Sequence, residues 1–237
     1  MLLERIRMGR HTSEDIDAVN ATWAQHKDEE RLLMPQFRAL RSSVDSYNAE
    51  QLEKLSDEEM RYDATDSNIP DDGRGLQGTL QDLERRAPGC LSVKLRAPVV
   101  ATRRLSPTTS TGTIGDIVAM TSPHELVCSF KGERVSLTRK TWDIYSASGA
   151  VSGSREQLPV VLAWDVTTHR AQGSELNSVC IDLTRDDLAC DGLVYAALSR
   201  VRFLRSLRVR GLTTRHIKGN QASLSLWFAL VDAAGNK

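Results

Sequence analysis

Two hydrophobic rhythms alternate along this chain, and their order outlines an architecture. Near the start, Ile16, Val19 and Trp23 recur at helical spacing behind Thr12, Ser13 and Glu14, which predicts a short capped helix. A second helix is predicted over Val44 to Leu55. Residues 66 to 92, punctuated by Pro70, Gly73, Gly75, Gly78, Pro88 and Gly89, read as a long loop or linker. The texture then changes. From Val93 to Tyr145 the runs VKLRAPVVAT, GTIGDIVAM, ELVCSF, ERVSLT and TWDIY are short, β-rich and broken by turns, the spacing of a small β-barrel. An α/β rhythm follows, with buried strands at Val160 to Thr167 and Val179 to Leu183 and a helix near Leu193 to Ser199. It continues with a strand at Leu207 to Val209 and an apolar-faced helix from about Gln221 to Ala234. The expected fold class is therefore α/β with an inserted barrel.

Composition excludes several function classes. The chain has 237 residues, 40% apolar and 26% charged, enough for one large domain or one carrying a smaller insertion. No run approaches the roughly 18 apolar residues of a membrane span, so no membrane association is expected. Cys90, Cys128, Cys180 and Cys190 lie far apart and the five histidines form no H-x-x-x-H pair, so no metal site is expected and a reducing compartment fits best.

The net charge of zero conceals segregation. Ten acidic residues stand against Lys54 and Arg61 between Asp45 and Asp72, whereas Gly192 to Val231 contains no acid and holds Arg200, Arg202, Arg205, Arg208, Arg210, Arg215 and Lys218. A second acid-free stretch holds Lys94, Arg96, Arg103 and Arg104. Basic residues collected this way suit phosphate backbones, although solvated surface charge explains composition alone equally well.

The chemistry concentrates in two segments. In LPVVLAWDVTTHRAQGSEL, residues 158 to 176, a buried strand ends in Thr167, Thr168, His169, Gln172 and Gly173, as when an open α/β sheet builds a ligand site at its carboxyl edge. In GLVYAALSRVRFL, residues 192 to 204, an apolar helix delivers Arg200 just after Ser199. Taken singly, the first is an ordinary strand with a capped helix and the second a core helix with a surface arginine.

Together and in this order, the T-x-H-x-x-Q-G string and the YAALSR string resemble motifs five and six of superfamily 1B DNA helicases of the PIF-type and RecD-like family. LLERIRMGRHTSEDIDAVN is similar to the segment that follows motif three there, and RLLMPQFRALRSSVDSYNAEQLEKL to the motif-four region. LSVKLRAPVVATRRL and TGTIGDIVAM resemble the start of that family's inserted barrel. Departures from the pattern are Arg170 for the usual lysine, Ala171 for serine and Thr111 for asparagine; Glu175 follows the RecD-like form.

The resemblance implies the second RecA-like domain of a P-loop helicase with an inserted small Src-homology-three-like β-barrel. Residues 1–90 would form the N-terminal part of that domain with a linker, 91–150 the barrel, and 151–237 the part carrying motifs five and six. Arg200 matches the arginine that reaches the γ-phosphate across the cleft, and Gln172, Gly173 and Glu175 would join it around ATP, with Mg2+ as the family's metal. Thr167, Thr168, His169, Arg170, Tyr195, Ser199 and Arg202, with Arg103 and Arg104 of the barrel, would face single-stranded DNA. MLLERIRMGR looks more like internal helicase sequence than a presequence, which leaves targeting unreadable, and the family implies only an intracellular site, the nucleus or mitochondrion in a eukaryote.

One element of that family is absent from the sequence. No G-x-x-x-x-G-K-[ST] string occurs, and Asp57, Glu58 and Glu59 follow a polar helix instead of the apolar strand that a magnesium-binding carboxylate needs. Since Met1 opens directly into sequence resembling that after motif three, the first RecA-like domain is expected to be missing. The expected function is that of a truncated relative of ATP-dependent 5′-to-3′ DNA helicases with little or no ATPase of its own. The alternative is a non-catalytic single-stranded-DNA-binding or regulatory protein, in which Arg103, Arg104 and the Arg202 to Arg210 cluster hold the strand, or one that lends Arg200 to a P-loop-containing helicase chain.

Overall fold

A computed structural model describes residues 2–25, 34–38, 41–70, 73–122, 125–167, 176–184 and 192–217. The chain divides into two compact units: Met1–Val44 with Asp165–Lys237, and Asp45–Trp164 between them. The second unit is thus an insertion in the first.

The first unit opens with α1 (Leu2–Arg7) and α2 (Ser13–Asn20). Thr12 starts α2 with a capping box: its hydroxyl accepts the Asp15 amide at 3.2 Å, and the Asp15 carboxylate accepts the Thr12 amide at 3.1 Å. Such a cap is typically worth about 1 kcal/mol. Asp15 also holds the Arg5 guanidinium through two oxygens, the Nε bond being 2.7 Å, and so fastens α1 to α2. A 3-10 turn, Ala21–Gln25, and the strand β1 (Gln36–Arg38) follow.

The inserted unit begins within α3 (Arg41–Glu53), and β2 (Met60–Asp63) and β3 (Thr65–Ser67) come next. The expected loop over 66–92 instead contains a helix, α4 (Gly73–Arg86), and the strand β4 (Cys90–Val93), which pairs antiparallel with β2. Its glycines argue against a helix locally, each costing about 1 kcal/mol relative to alanine. Packing overrides them, because Thr79, Leu83 and Ala87 share one buried face at helical spacing. The strands β5 (Pro98–Ala101), β6 (Ile114–Ser122), β7 (Glu125–Phe130) and β8 (Glu133–Leu137) form an antiparallel meander. A hairpin of β9 (Lys140–Tyr145) and β10 (Val151–Gln157) adds β3 to its β10 side. Helix α4 lies on this hairpin so closely that a Cβ at Gly153 would stand 2.3 Å from Thr79 Cγ2. Tyr62, Leu91, Val99, Ile117, Leu126, Phe130 and Leu158 belong to one hydrophobic core of the unit.

The apolar run Val160 to Thr167 is two strands. β11 (Val160–Leu162) pairs antiparallel with β5 in the inserted unit, whereas β12 (Asp165–Thr167) pairs parallel with β1 in the first. After β13 (Val179–Asp182) come α5 (Leu193–Leu198) and β14 (Leu207–Arg210), near the expected positions. The four strands make a parallel sheet in the order β12-β1-β13-β14, and the near-continuous burial of β12, β13 and β14 suits parallel strands covered on both faces. The turn after α2 guards the β14 edge: Thr22 Oγ1 accepts the Val209 amide at 3.1 Å, and the Asn20 side chain bonds both backbone groups of Leu212. The helix expected over Gln221 to Ala234 lies outside the described residues.

Candidate functional site

The parallel sheet has two edges, and the candidate residues divide between them. Register aligns Thr167 with Arg38 and Asp182 with Arg210, and the pairing of Gln36 with Cys180 carries Arg38 level with Asp182. These four residues end their strands in a row along the carboxyl edge, where open α/β sheets build ligand sites. Thr167 is buried there. Thr168, His169, Arg170, Gln172, Gly173 and Glu175 lie outside the described residues.

Arg200 belongs to the other edge. Leu176, three residues before β13 begins, donates its amide to the Arg200 carbonyl at 2.8 Å. Arg200 therefore lies on the side from which β13 and β14 enter the sheet, roughly 10 Å of strand away from the row that holds Thr167.

The arginine is held on the end of its own helix. Its Nε donates to the Ala196 carbonyl at 2.7 Å and its Nη2 to Ser199 Oγ at 2.7 Å, while Ser199 Oγ donates to the same Ala196 carbonyl at 3.0 Å. Helix α5 leaves its last carbonyls without intrahelical donors, and a cation at a helix C-terminus is electrostatically favoured. The Y-x-A-L-S-R string thus folds into a turn in which serine and a helical carbonyl fix the arginine's direction. Tyr195 is half-buried on α5, and Arg202 is exposed beyond it.

At the carboxyl edge, Arg210 Nη2 donates to the Asp182 carboxylate at 2.6 Å, and its guanidinium lies 4.2 Å from the Trp23 ring centroid. Burial pushes the Asp182 carboxyl up, but Arg210 and the Thr184 hydroxyl and amide outweigh it and leave it below the usual carboxylate range. Arg208 is turned inward at 1% exposure, and its Nη1 donates to the Arg205 carbonyl at 2.7 Å. The run Arg202 to Arg210 is accordingly not one solvated basic stripe. Sequence reasoning missed the set of Trp23, Asp182 and Arg210, whose members lie in three separate segments with no local signal joining them.

In the inserted unit, the Arg103 guanidinium lies 4.6 Å from the buried Trp142 ring centroid. Arg104 is exposed and braces its loop, donating to the carbonyls of Ser106 at 3.2 Å and Pro107 at 3.4 Å. Of the other bases in that stretch, Lys94 donates to the Leu55 carbonyl and Arg96 pairs with Asp57, each at 2.8 Å. Among the described residues no group of three His, Cys, Asp or Glu side chains is gathered to hold a metal ion, and no helix is long and apolar enough to cross a membrane.

A four-stranded parallel sheet with an arginine fixed at the end of its crossover helix, interrupted by a β-rich unit, defines a RecA-like α/β domain with an insertion. Comparison with solved structures agrees: the Pif1 helicase of Candida albicans superposes with a TM-score of 0.76 at 21% identity, over 97% of this chain and 57% of that one. A Bacteroides Pif1 helicase in complex with ADP-AlF3 and ssDNA gives 0.67 at 21% identity, over 98% and 53%. In sequence, the ATP-dependent DNA helicase PIF6 of Trypanosoma brucei brucei is 32% identical over 214 residues, 85% of this chain and 26% of that protein. The ATP-dependent DNA helicase PIF1 of Danio rerio is 29% identical over 93% of this chain and 34% of its own length. No family model matches the chain. The chain is a homologue of the PIF1 DNA helicases along most of its length, and it spans between a quarter and about a third of these two curated relatives.

Proposed function

We propose that the chain is the motif-five and motif-six half of a PIF-type helicase, presenting Arg200 to a nucleotide from one edge of its sheet and gripping single-stranded DNA from the other. The observation that carries this reading is the hold of Ser199 and Ala196 on Arg200, beside Leu176, the first described residue after the motif-five string. A guanidinium fixed in direction before the nucleotide arrives pays little reorganisation when charge develops on a transferring phosphoryl group, and such residues are worth roughly 10³ to 10⁵ in rate. In this role Ser199 acts through Arg200. A bound ATP supplies the phosphoryl group, and this chain contributes the arginine together with Gln172, Gly173 and Glu175. The phosphate cradle and the Mg2+ carboxylates belong to a P-loop-bearing half, because this sequence has no P-loop string.

Strand binding is proposed for Thr167 at the carboxyl edge and, on the sequence resemblance alone, for Thr168, His169, Arg170, Tyr195, Ser199, Arg202, Arg103 and Arg104; of these, Tyr195, Ser199 and Arg202 flank Arg200 and lie away from that edge. Within the inserted unit, residues 91–150, which hold the antiparallel meander, are read as the Src-homology-three-like barrel, with 1–90 and 151–237 as the other functional segments. The complex of ADP-AlF3 and ssDNA named for the Bacteroides relative supports an assignment of both ligands to this fold. The second reading, a non-catalytic strand-binding or regulatory protein, draws its support from the same basic residues.

An ATPase assay of the purified chain with and without single-stranded DNA, run beside a binding titration, tests the proposal. The expected result is strand binding that weakens steeply with salt, and no turnover. DNA-stimulated hydrolysis by the chain alone would overturn the assignment of the phosphate cradle to another half. Salt-insensitive binding, or none at low ionic strength, would remove both strand-binding readings.

A further inference from the structure

Between β5 and β6 the inserted unit carries a loop, residues 102–113, whose hydroxyl groups hydrolysis and strand binding leave unused. It contains RRLSPTTST, Arg103 to Thr111, and Ser106 is the one serine or threonine of the sequence with arginine both two and three residues before it. Pro107 follows directly, and a residue before proline is pressed towards extended backbone. Arg104, Pro107, Thr108 and Ser110 are exposed, with Ser106 half-buried among them. The loop turns around the Ser106 hydroxyl. Its Oγ accepts the amides of Thr108 at 3.3 Å and Thr109 at 3.1 Å, and lies 2.9 Å from Thr108 Oγ1. Thr108 gives its own proton to the Glu133 carboxylate, so the proton between the two hydroxyls is that of Ser106. Two amides thus point at the Ser106 hydroxyl oxygen, while the Arg104 guanidinium rests on the carbonyls of Ser106 and Pro107. Converging backbone amides beside a cation suit an anion at that position.

We propose that Ser106 is a phosphorylation site for a serine/threonine protein kinase, and that its phosphate ties Arg104 to the loop and weakens the grip of the inserted unit on single-stranded DNA. Ser106 Oγ attacks the γ-phosphorus of ATP. The new O–P bond forms as the bond to the β,γ-bridging oxygen breaks, ADP leaves, and the hydroxyl proton passes to the aspartate of the kinase. Kinase clefts select substrates by the charges flanking the acceptor, and this loop offers paired arginines before Ser106 and a proline after it. The competing hydroxyls of Thr108 and Ser110 have no arginine within three residues before them, and the Thr108 proton is committed to Glu133. Once formed, the phosphate gains the Thr108 and Thr109 amides as charge-assisted donors and Arg104 as its counter-ion. Its negative charge also repels the phosphates of an incoming strand. The effect on strand binding rests on the reading of Arg103 and Arg104 given above; the acceptor site does not.

The test incubates the full chain with ATP and an arginine-directed serine/threonine kinase, or in a second arm a proline-directed one, and locates the phosphate by peptide mass spectrometry. Phosphate on Ser106 in either arm upholds the site, and the arm in which it appears tells whether the arginines or Pro107 are read. Its absence from Ser106 in both arms, or equal occupancy of Thr108 and Ser110, overturns the proposal. The phosphorylated chain is then titrated against a fluorescein-labelled oligothymidylate at several salt concentrations. It is expected to bind about tenfold more weakly at low salt, with a salt slope shallower by about 1.4, two phosphate contacts at roughly 0.7 each. Its melting curve should match that of the unmodified chain; a lowered curve assigns the loss to the fold and overturns the regulatory effect. Ser106→Ala should take up no phosphate at that position and keep its affinity after kinase treatment. Unmodified Arg103→Ala with Arg104→Ala should show the same weakening without any phosphate. If that variant binds like the wild type, the strand reading of these arginines fails while the acceptor site stands. If it binds weakly but phosphorylation changes nothing, the regulatory effect is overturned and the strand reading stands.

Discussion

Replacing Arg155 is expected to loosen the inserted unit more than any surface change could. Arg155 sits on β10 at 5% exposure and reaches three groups on two other elements. It holds Asp66 on β3 through Nε at 2.7 Å and Nη2 at 2.8 Å, while Nη1 donates to Glu84 of α4 at 2.6 Å and to the Ala87 carbonyl at 2.9 Å. One planar fork thus ties a strand to its cross-strand neighbour and to the end of the helix above. Breaking a buried pair by removing one partner typically costs 3–5 kcal/mol. That figure is an upper bound here, because the Asp66 and Glu84 side chains are 27% and 51% exposed and water replaces part of what they lose. Arg155→Met is therefore expected to cost about 2 to 4 kcal/mol, a drop in melting temperature of roughly 10 °C for a unit of this size. Arg155→Lys should recover little, since one ammonium cannot reproduce the bidentate geometry. Urea unfolding measures the cost, and hydrogen exchange of backbone amides in 140–157 localises it. A loss under about 1 kcal/mol with unchanged amide protection would refute the reasoning.

Three further perturbations separate the contributions of burial and charge. Gln157 is fully buried; its Nε2 donates to the carbonyls of Tyr62 and Pro88 at 2.9 and 3.1 Å, and its Oε1 accepts the Leu158 amide at 2.8 Å. Gln157→Leu strands these groups and should cost about 2 to 3 kcal/mol by chemical denaturation, so a neutral outcome would mean that water satisfies them. The Arg5 guanidinium, followed by the Thr12 amide, holds the Asp15 carboxyl well below its usual range. Its stabilisation is complete above the unfolded carboxyl's value near 4 and is lost as pH falls below it, so Asp15→Asn should flatten the acid limb of a melting-temperature profile. An unaltered limb would count against the pair. Burial, followed by the Asp116 charge, pushes the Cys128 thiol up to about 12. The unfolded thiol ionises near 8.5, so stability should fall as pH rises from there towards 12, and Cys128→Ala should remove that slope. In native alkylation followed by peptide mapping, Cys90 is exposed and should react before the buried Cys128 and Cys180.

The two motif strings were legible because each is contiguous: T-x-H-x-x-Q-G and YAALSR carry their resemblance in neighbouring residues, and the second falls on the helix and turn that hold Arg200. The capped helix after Thr12 and the strand from Leu207 to Val209 were legible for the same reason, since capping and strand patterning are local properties. Local signals failed where distant segments decide. Helix α4 was hidden by its glycines, and it stands because Leu83 and Thr79 find β9 and β10 to pack on.

By itself the sequence determined which residues carry candidate chemistry and the absence of a P-loop string; the β-rich stretch, expected from Val93, begins at Met60. Tertiary structure decided the partners. An apolar run from Val160 to Thr167 reports burial but not which sheet does the burying, and pairing sends its two halves to different sheets. Seven basic residues in a row of acid-free sequence report charge but not its direction. Folding turns Arg208 inward, gives Arg210 to Asp182 and leaves Arg202 and Arg205 exposed, Arg205 over the Phe203 ring. Periodicity is a property of neighbours along the chain, whereas burial, ion pairing and pockets depend on residues brought together across it.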